Sequence, residues 1–306
     1  MKNSCFLFTQ SPSYIKAEIG ETTFRRIVVK LLRMRTARNY IDVLAFVAAW
    51  MAAGWIFKLS PNAYLLLGVP LVILFQLFIR RQSLEKLWVR EGGAFRLGLV
   101  GAVFAALLML VPAYDLLTVV VARRSWVVTL WLACACVGAV CAAFALRQQQ
   151  ASAARRGLPS FIVAVMIGLT IMAASALATH HSPGFPPYRI FFLLKQFLLY
   201  FAVSFTLEEV AFRGALDSHV YQSPSNGQTS GFPWLSAIFI SALWGVWHLP
   251  TLSIPSESGF AAAIPGLVIV HTLVGVPLSF CWRASDTLVS PAAAHALIDA
   301  YRNAVL

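Results

Sequence analysis

The chain has 306 residues, of which 59 % are apolar and only 12 % are charged, and its mean hydropathy is +0.75. Soluble domains carry about 25 % charged residues, so this composition excludes a soluble globular protein. Several nearly uncharged windows are close to the ~20 residues that cross a bilayer as a helix, whereas membrane β-barrels show short alternating segments. We therefore predict an all-α fold, a polytopic transmembrane helical bundle with about eight or nine membrane helices.

The net charge of +12 does not indicate nucleic-acid binding, because the basic residues stand beside apolar segments. They cluster at residues 16–38, before the first apolar window, and at residues 80–96, after the second. This distribution is typical of the positive-inside rule and of contact with anionic lipid headgroups. We expect a lipid bilayer as partner, and no nucleic acid.

The elements follow in chain order. Residues 1–40 predict a basic, amphipathic head on the cytoplasmic surface, with a disordered basic tail as the alternative. Candidate spans come at residues 41–59, 62–79, 95–121, 126–146, 159–179, 190–212, 234–252, 262–282 and 286–304. The segments at 80–94 and 147–158 are basic and those at 59–61 and 180–189 are not, which places the N-terminus in the cytoplasm. We interpret residues 41–180 as scaffold helices, and the short loops favour a multi-pass protein of a bacterial cytoplasmic membrane.

The composition changes near residue 180. Before it, the apolar spans hold almost no ionisable residue away from their ends, and after it such residues recur inside apolar helices. A charged side chain at the bilayer centre costs about 2.5–3.5 kcal/mol on insertion scales, so these residues require partners or a water-filled cavity. We predict that residues 190–306 form the functional core. The ionisable residues concerned are Glu208, Glu209, Arg213, His248, His271, His295 and Asp299.

Two adjacent carboxylates lie in the apolar segment FAVSFTLEEVAFRG. On an α-helix Glu209 and Arg213 are four residues apart and share a face, so they can form a charge-assisted pair. Glu208 lies about 100° further around the helix and has no obvious local partner. An unpaired carboxylate in such a site suits a general base or acid that activates water.

Two other helices carry imidazole groups. His248 stands at the end of an apolar run that Pro250 terminates, with Trp244 one turn before it. His295 and Asp299 lie four residues apart on one helix face. If the three helices share a cavity, they supply the acid–base groups and the donors that peptide hydrolysis requires.

These three segments resemble the motifs of the CAAX protease and bacteriocin-processing (CPBP, or Abi) family of intramembrane proteases, which are EExxxR, FxxxH and HxxxN or HxxxD. Glu208, Glu209 and Arg213 match the first motif in full. His248 matches the second, with Trp244 where the family usually has Phe. His295 and Asp299 match the third, with Asp in place of the more usual Asn. The resemblance covers roughly residues 190–306.

The resemblance implies an endopeptidase that cuts a membrane-embedded or membrane-associated protein or peptide. By position, Glu208 is the base that activates water, and His248 holds or protonates the reacting groups. His295 and Asp299 stabilise the oxyanion or orient the water, and the Glu209–Arg213 pair braces the first helix. The family is often described as metalloproteases, and Glu and His side chains can bind Zn²⁺. The spacing does not require a metal, so no cofactor is certain and zinc is left open.

Two alternative functions use the same residues. A transporter or immunity-type protein would bind a cation or proton with these carboxylates, and a non-catalytic relative would use the bundle as a scaffold. Against a transporter, the chain has no pair of interrupted helices in matching halves. His271 lies outside the motifs, and we interpret it as structural or as a residue lining the cavity.

Overall fold

The structure is a computed structural model that describes residues 21–90, 95–123, 125–178, 188–221, 233–252 and 257–305, without the side chains of 21–36, 188, 257–260 and 262. Its helices are α1 (Glu21–Ile56), α2 (Pro61–Leu74, extended by a π-helical turn at Phe75–Ile79), α3 (Gly98–Val121), α4 (Trp126–Gln148), α5 (Ala151–Ala178), α6 (Tyr188–Ser204, continued by a π-helical segment at Phe205–Asp217 and an α-helical end at Ser218–Val220), α7 (Pro233–Trp247), α8 (Glu257–Ser285) and α9 (Val289–Val305). Short 3₁₀ turns stand at Leu84–Leu87 and Leu249–Thr251.

The described helices confirm the predicted helical membrane bundle. Seven of the spans are long and apolar enough to cross a bilayer. The predicted spans 234–252 and 286–304 correspond to α7 and α9, which have only 15 and 17 residues. At about 1.5 Å per residue, both are shorter than a ~30 Å hydrocarbon core. Large apolar side chains face outward, among them Leu99, Val121 and Phe191 at 83 %, 82 % and 78 % exposure. The chain is an integral membrane protein.

Some helix boundaries differ from the predicted ones. α5 begins at Ala151, so most of the basic segment predicted as a loop at 147–158 is helical, with Pro159 inside the helix. α3 likewise runs through Pro112 to Val121. Proline is tolerated inside membrane helices because neighbouring groups satisfy the freed backbone atoms. α1 passes residue 40 without a break. The first 20 residues of the predicted head lie outside the described residues, as do residues 222–232.

Helix α6 lies at the centre of the bundle. It contacts α2, α3, α4 and α9, and its π-helical segment also contacts α7 and α8. α4 approaches α6 closely at Gly138, where an added methyl group would overlap Thr206 Oγ1 and the Ala202 carbonyl oxygen. Small residues permit such close contact between membrane helices, which depend on packing because lipid supplies no hydrophobic driving force. α6 is therefore held by neighbours on most of its circumference.

A buried ion pair fixes the end of the π-helical segment. The Arg283 guanidinium of α8 donates two hydrogen bonds to the Asp217 carboxylate, at 2.9 and 2.5 Å, and Asp217 is fully buried. Arg283 Nη1 also donates to the carbonyl oxygen of Pro233, the first residue of α7, at 2.6 Å. Bidentate arginine–carboxylate pairs are geometrically specific. This pair sets the relative positions of α6, α7 and α8.

The segment after α2 and the turn before α9 meet at one end of the bundle. The Arg90 amide donates to the Asp286 carbonyl oxygen at 2.9 Å, and the Leu288 amide donates to the Trp88 carbonyl oxygen at 3.0 Å. Arg156, near the start of α5, pairs with the Asp286 carboxylate at 3.1 Å. Three segments therefore lie together, residues 80–90, 147–156 and 283–288. They include most of the basic residues of the described connections, and we call this region the basic end.

Candidate active site

Both predicted carboxylates lie on the π-helical segment of α6, where the sequence analysis assumed α-helical geometry. A π-helix has i→i+5 hydrogen bonds and a wider turn, and it usually occurs as a single-turn bulge near a functional site. The segment here has 13 residues. Glu209 and Arg213 point into the bundle with 0 % side-chain exposure, whereas the Glu208 side chain is 14 % exposed. The two adjacent glutamates therefore have different surroundings.

Glu208 faces a cavity of about 300 Å³ between the helices. Leu65, Trp131, Met172, Val203 and Val274 form much of its apolar wall. At the surface the cavity reaches Pro61 and Asn62 at the start of α2, and Thr251 after α7. The ionisable and hydrogen-bonding residues of the wall come from four helices and include Glu208, Trp244, His248, His271, His295, Asp299 and Arg302.

Glu209 is the centre of a buried ionic group. Arg213 Nη1 donates to Glu209 Oε1 at 3.2 Å, and His295 Nδ1 lies 2.8 Å from the same oxygen. An ionised carboxylate accepts and does not donate, so His295 Nδ1 carries the hydrogen of this bond. The Arg213 guanidinium carbon also lies 4.3 Å from the centre of the Trp244 ring, in cation–π contact. Glu209 thereby links α6 to α9.

Glu208 is bound by α7. Trp244 Nε1 donates a hydrogen bond to Glu208 Oε2 at 3.0 Å, and His248 Nε2 lies 3.8 Å from the same oxygen. His248 Nδ1 donates to the Trp244 carbonyl oxygen at 2.8 Å, because a carbonyl can only accept. In the neutral ring His248 Nε2 is then an acceptor, like the carboxylate oxygen beside it. A water molecule that donates one hydrogen to His248 Nε2 and the other to the Glu208 carboxylate, through either oxygen, fits this arrangement.

Asp299 has two cationic or polar neighbours. Arg302 Nη1 lies 2.9 Å from Asp299 Oδ1, and His295 Nε2 lies 3.5 Å from Asp299 Oδ2. Asp299 is buried, whereas the Arg302 side chain is 41 % exposed and reaches the cavity wall. The carboxylate that occupies the last position of the third motif is therefore charge-paired, and its repulsion of a developing oxyanion is reduced.

His271 of α8 also belongs to the cavity. Its Nδ1 donates to the Leu267 carbonyl oxygen at 2.8 Å, and its Nε2 takes no part in that bond. The ring centre lies 4.3 Å from that of His248 and 4.7 Å from that of Trp244. Of the two interpretations given above, a residue lining the cavity is the one that the geometry favours.

The donor groups do not form a metal site in the part of the chain that the structure describes. Among those residues, no three His, Cys, Asp or Glu side chains are grouped so that they could hold a metal ion. We therefore derive no chemical step through zinc.

The structure brings the six predicted site residues together at the meeting point of α6, α7 and α9. Glu208, His248, His295 and Asp299 line the cavity, and the Glu209–Arg213 pair lies behind it. Sequence analysis missed the hydrogen bond from Trp244 and the place of Arg302 in the cavity wall. Helical spacing could have indicated Arg302, which follows Asp299 by three residues, but the Trp244 contact spans 36 residues and depends on tertiary packing.

A known family matches the part of the chain that contains the candidate site. Residues 190–301 match the family model described as type II CAAX prenyl endopeptidase Rce1-like. Searches of curated proteins and of solved structures found no significant match. The matched residues contain α6 to α9 almost in full, and with them all six predicted site residues. The resemblance inferred from the three motifs is thus confirmed, since the Rce1-like model that matches residues 190–301 is a model of the CPBP family.

Proposed function

We propose that this chain is an intramembrane endopeptidase that hydrolyses a peptide bond with water activated by Glu208. The family match supports a protease of the CAAX type at the family level. The observation that carries the finer proposal is the position of the Glu208 carboxylate. It lines a cavity within the bundle, with Trp244 Nε1 at 3.0 Å and His248 Nε2 at 3.8 Å from one of its oxygens.

The proposed reaction begins with a water molecule between Glu208 and His248. Glu208 accepts a proton as the water oxygen bonds to the peptide carbonyl carbon, and the carbonyl oxygen becomes an oxyanion. When the carbon–nitrogen bond breaks, the proton passes from Glu208 to the leaving amine. General-base catalysis of this kind contributes about 10²- to 10⁴-fold to the rate. His248 holds the water in place by accepting its second hydrogen.

The other predicted residues support this step. In the proposal, His295 and Asp299 orient the substrate carbonyl or stabilise the oxyanion, because both line the same cavity. Arg302 balances the charge of Asp299, because its Nη1 lies 2.9 Å from Asp299 Oδ1. Glu209 and Arg213 brace the site from behind, since both side chains are fully buried and Glu209 also holds His295.

We propose a membrane-embedded or membrane-associated protein or peptide as substrate, because the polar groups lie beside apolar walls. We further propose a bacterial cytoplasmic membrane with the N-terminus in the cytoplasm. By the positive-inside rule the basic end then faces the cytoplasm. Pro61, Asn62 and Thr251 stand at the opposite ends of their helices from the basic end, so the cavity would receive substrate from the non-cytoplasmic side.

The test replaces Glu208 by Gln, which keeps the size and the acceptor for Trp244 but removes the charge. Membranes from cells that produce the wild type and the E208Q variant are compared by N-terminal peptide mapping. Peptides that begin at new N-termini are expected with the wild type and should fall by about 10²-fold or more with E208Q. Equal yields from an E208Q variant that is inserted and stable would remove Glu208 from the mechanism.

A further inference from the structure

Trp244 stands at the centre of the site, although the family motif usually has Phe at this position. The residue is 3 % exposed, and its side chain lies among the three imidazole rings of the cavity. Ring-centre distances are 5.8 Å to His248, 4.7 Å to His271 and 5.1 Å to His295, all with edge-to-face geometry. The Arg213 guanidinium lies over the same indole at 4.3 Å. A single ring therefore packs against most of the polar groups of the site.

The polar atom of this ring has one partner. Trp244 Nε1 is a donor only, and it donates to Glu208 Oε2 at 3.0 Å. Nothing among the described residues forms a hydrogen bond to the second carboxylate oxygen of Glu208, which is thus available to a ligand in the cavity. A phenylalanine would fill part of the same space but would leave both oxygens without a fixed donor.

From this geometry we infer that Trp244 is a positioning residue: its indole N–H fixes the Glu208 carboxylate so that the free oxygen faces the cavity. This inference rests on the proposed role of Glu208. A glutamate side chain has three rotatable bonds, and a catalytic group must be held close to its productive orientation. Hydrogen bonds to charged groups are strong enough to do so, and loss of one corresponds to about a 10- to 100-fold change in rate.

Trp247 supplies a matched control in the same helix. It is fully buried, and its Nε1 has no hydrogen-bond partner among the described residues. Its ring packs against Trp50, Tyr64 and Phe212, at centre distances of 4.9, 5.1 and 5.3 Å. Like the Trp244 ring, it also lines the cavity and contacts the His248 ring, at 4.9 Å. Substitution by Phe therefore removes a similar volume from a similar aromatic environment at either position. Only the change at Trp244 removes a hydrogen bond.

The hydrogen bond itself can be measured without any activity. The chain has nine tryptophans, so a ¹⁵N-tryptophan spectrum of the detergent-solubilised protein contains up to nine indole N–H signals, and the W244F variant identifies the one from Trp244. Replacing Glu208 by Ala should move this signal upfield, towards the position of an unbonded indole, by more than it moves the signal of Trp247. A Trp244 signal that moves no more than that of Trp247 would overturn the inference.

The kinetic test uses a synthetic peptide that spans a cleavage site found by the N-terminal mapping. W244F should lower kcat by about 10- to 100-fold with KM changed less than about twofold, and W247F should leave kcat within about threefold. Equal kcat losses in the two variants would assign Trp244 a packing role and reject the inference. If the wild type cleaves nothing, the proposed function fails, and the indole signal still decides whether Trp244 holds Glu208.

Discussion

The adjacent carboxylates Glu208 and Glu209 allow one chemical change to be made in two different environments. We expect the substitution of Glu by Gln to lower the stability of the fold at position 209 and to stop catalysis at position 208. Glu209 and its partner Arg213 both have 0 % side-chain exposure, whereas Glu208 lines the cavity. We therefore expect E209Q to be a stability variant and E208Q to be a catalytic variant.

The size of the stability loss in E209Q follows from the charge that remains unpaired in the variant. Breaking a buried ion pair by removing one partner costs about 3–5 kcal/mol, because the remaining charge is uncompensated. In E209Q the remaining charge is that of Arg213, which has no other ion-pair partner among the described residues. The Gln side chain keeps an oxygen that can accept from Arg213 and His295, so we expect a loss near the lower limit, about 3 kcal/mol. The free energy of unfolding of E208Q should fall by less than about 1 kcal/mol, since this variant keeps the acceptor for Trp244.

The measurement is reversible unfolding in mixed detergent micelles, followed by circular dichroism for the wild type and both variants. A double variant, E209Q with R213M, removes both charges while Met fills much of the arginine volume against the Trp244 ring. This variant should recover most of the stability that E209Q loses. The reasoning is refuted if E209Q unfolds with the wild-type free energy, or if the double variant is less stable than E209Q alone.

Two further predictions concern packing and orientation. A methyl group at Gly214 would overlap the Leu87 carbonyl oxygen, so G214A should lower the free energy of unfolding by about 1–3 kcal/mol in the same assay. At Gly266 an added methyl group meets nothing within 4 Å, so G266A should be neutral or slightly stabilising. For the orientation, single cysteines are placed in a background without the five native ones, at Asn62 beside the cavity and at Gln82 near the basic end. A membrane-impermeant maleimide should label N62C in intact spheroplasts and Q82C only after permeabilisation, and the reverse pattern would disprove the proposed N-terminal orientation.

Sequence patterns predicted those features of the site that depend on local spacing. The Glu209–Arg213 and His295–Asp299 contacts join residues four apart on one helix, and both are present in the structure at 3.2 and 3.5 Å. The spacing of Glu209 and Arg213 survives although the segment is π-helical, because residues four apart remain close neighbours on the wider turn. The catalytic roles assigned to these residues remain predictions.

Contacts between helices were not available from the sequence. The Glu209–His295 contact joins residues 86 apart, and the Glu208–Trp244 hydrogen bond joins residues 36 apart. Either pairing depends on how far each helix is rotated about its axis, and rotation is decided by packing against several neighbours at once. The place of His271 in the cavity has the same origin, since no motif includes it.

The sequence by itself determined the class of this protein: long uncharged windows can satisfy their backbone hydrogen bonds within a bilayer only as helices. It also indicated which three helices carry the residues of the candidate site, since ionisable side chains are costly inside apolar segments. Only the tertiary structure decided which carboxylate is buried in an ion pair and which faces the cavity. That difference arises because α7 and α9 contact the π-helical segment from different directions, and α7 brings the Trp244 donor to Glu208 while α9 brings His295 to Glu209.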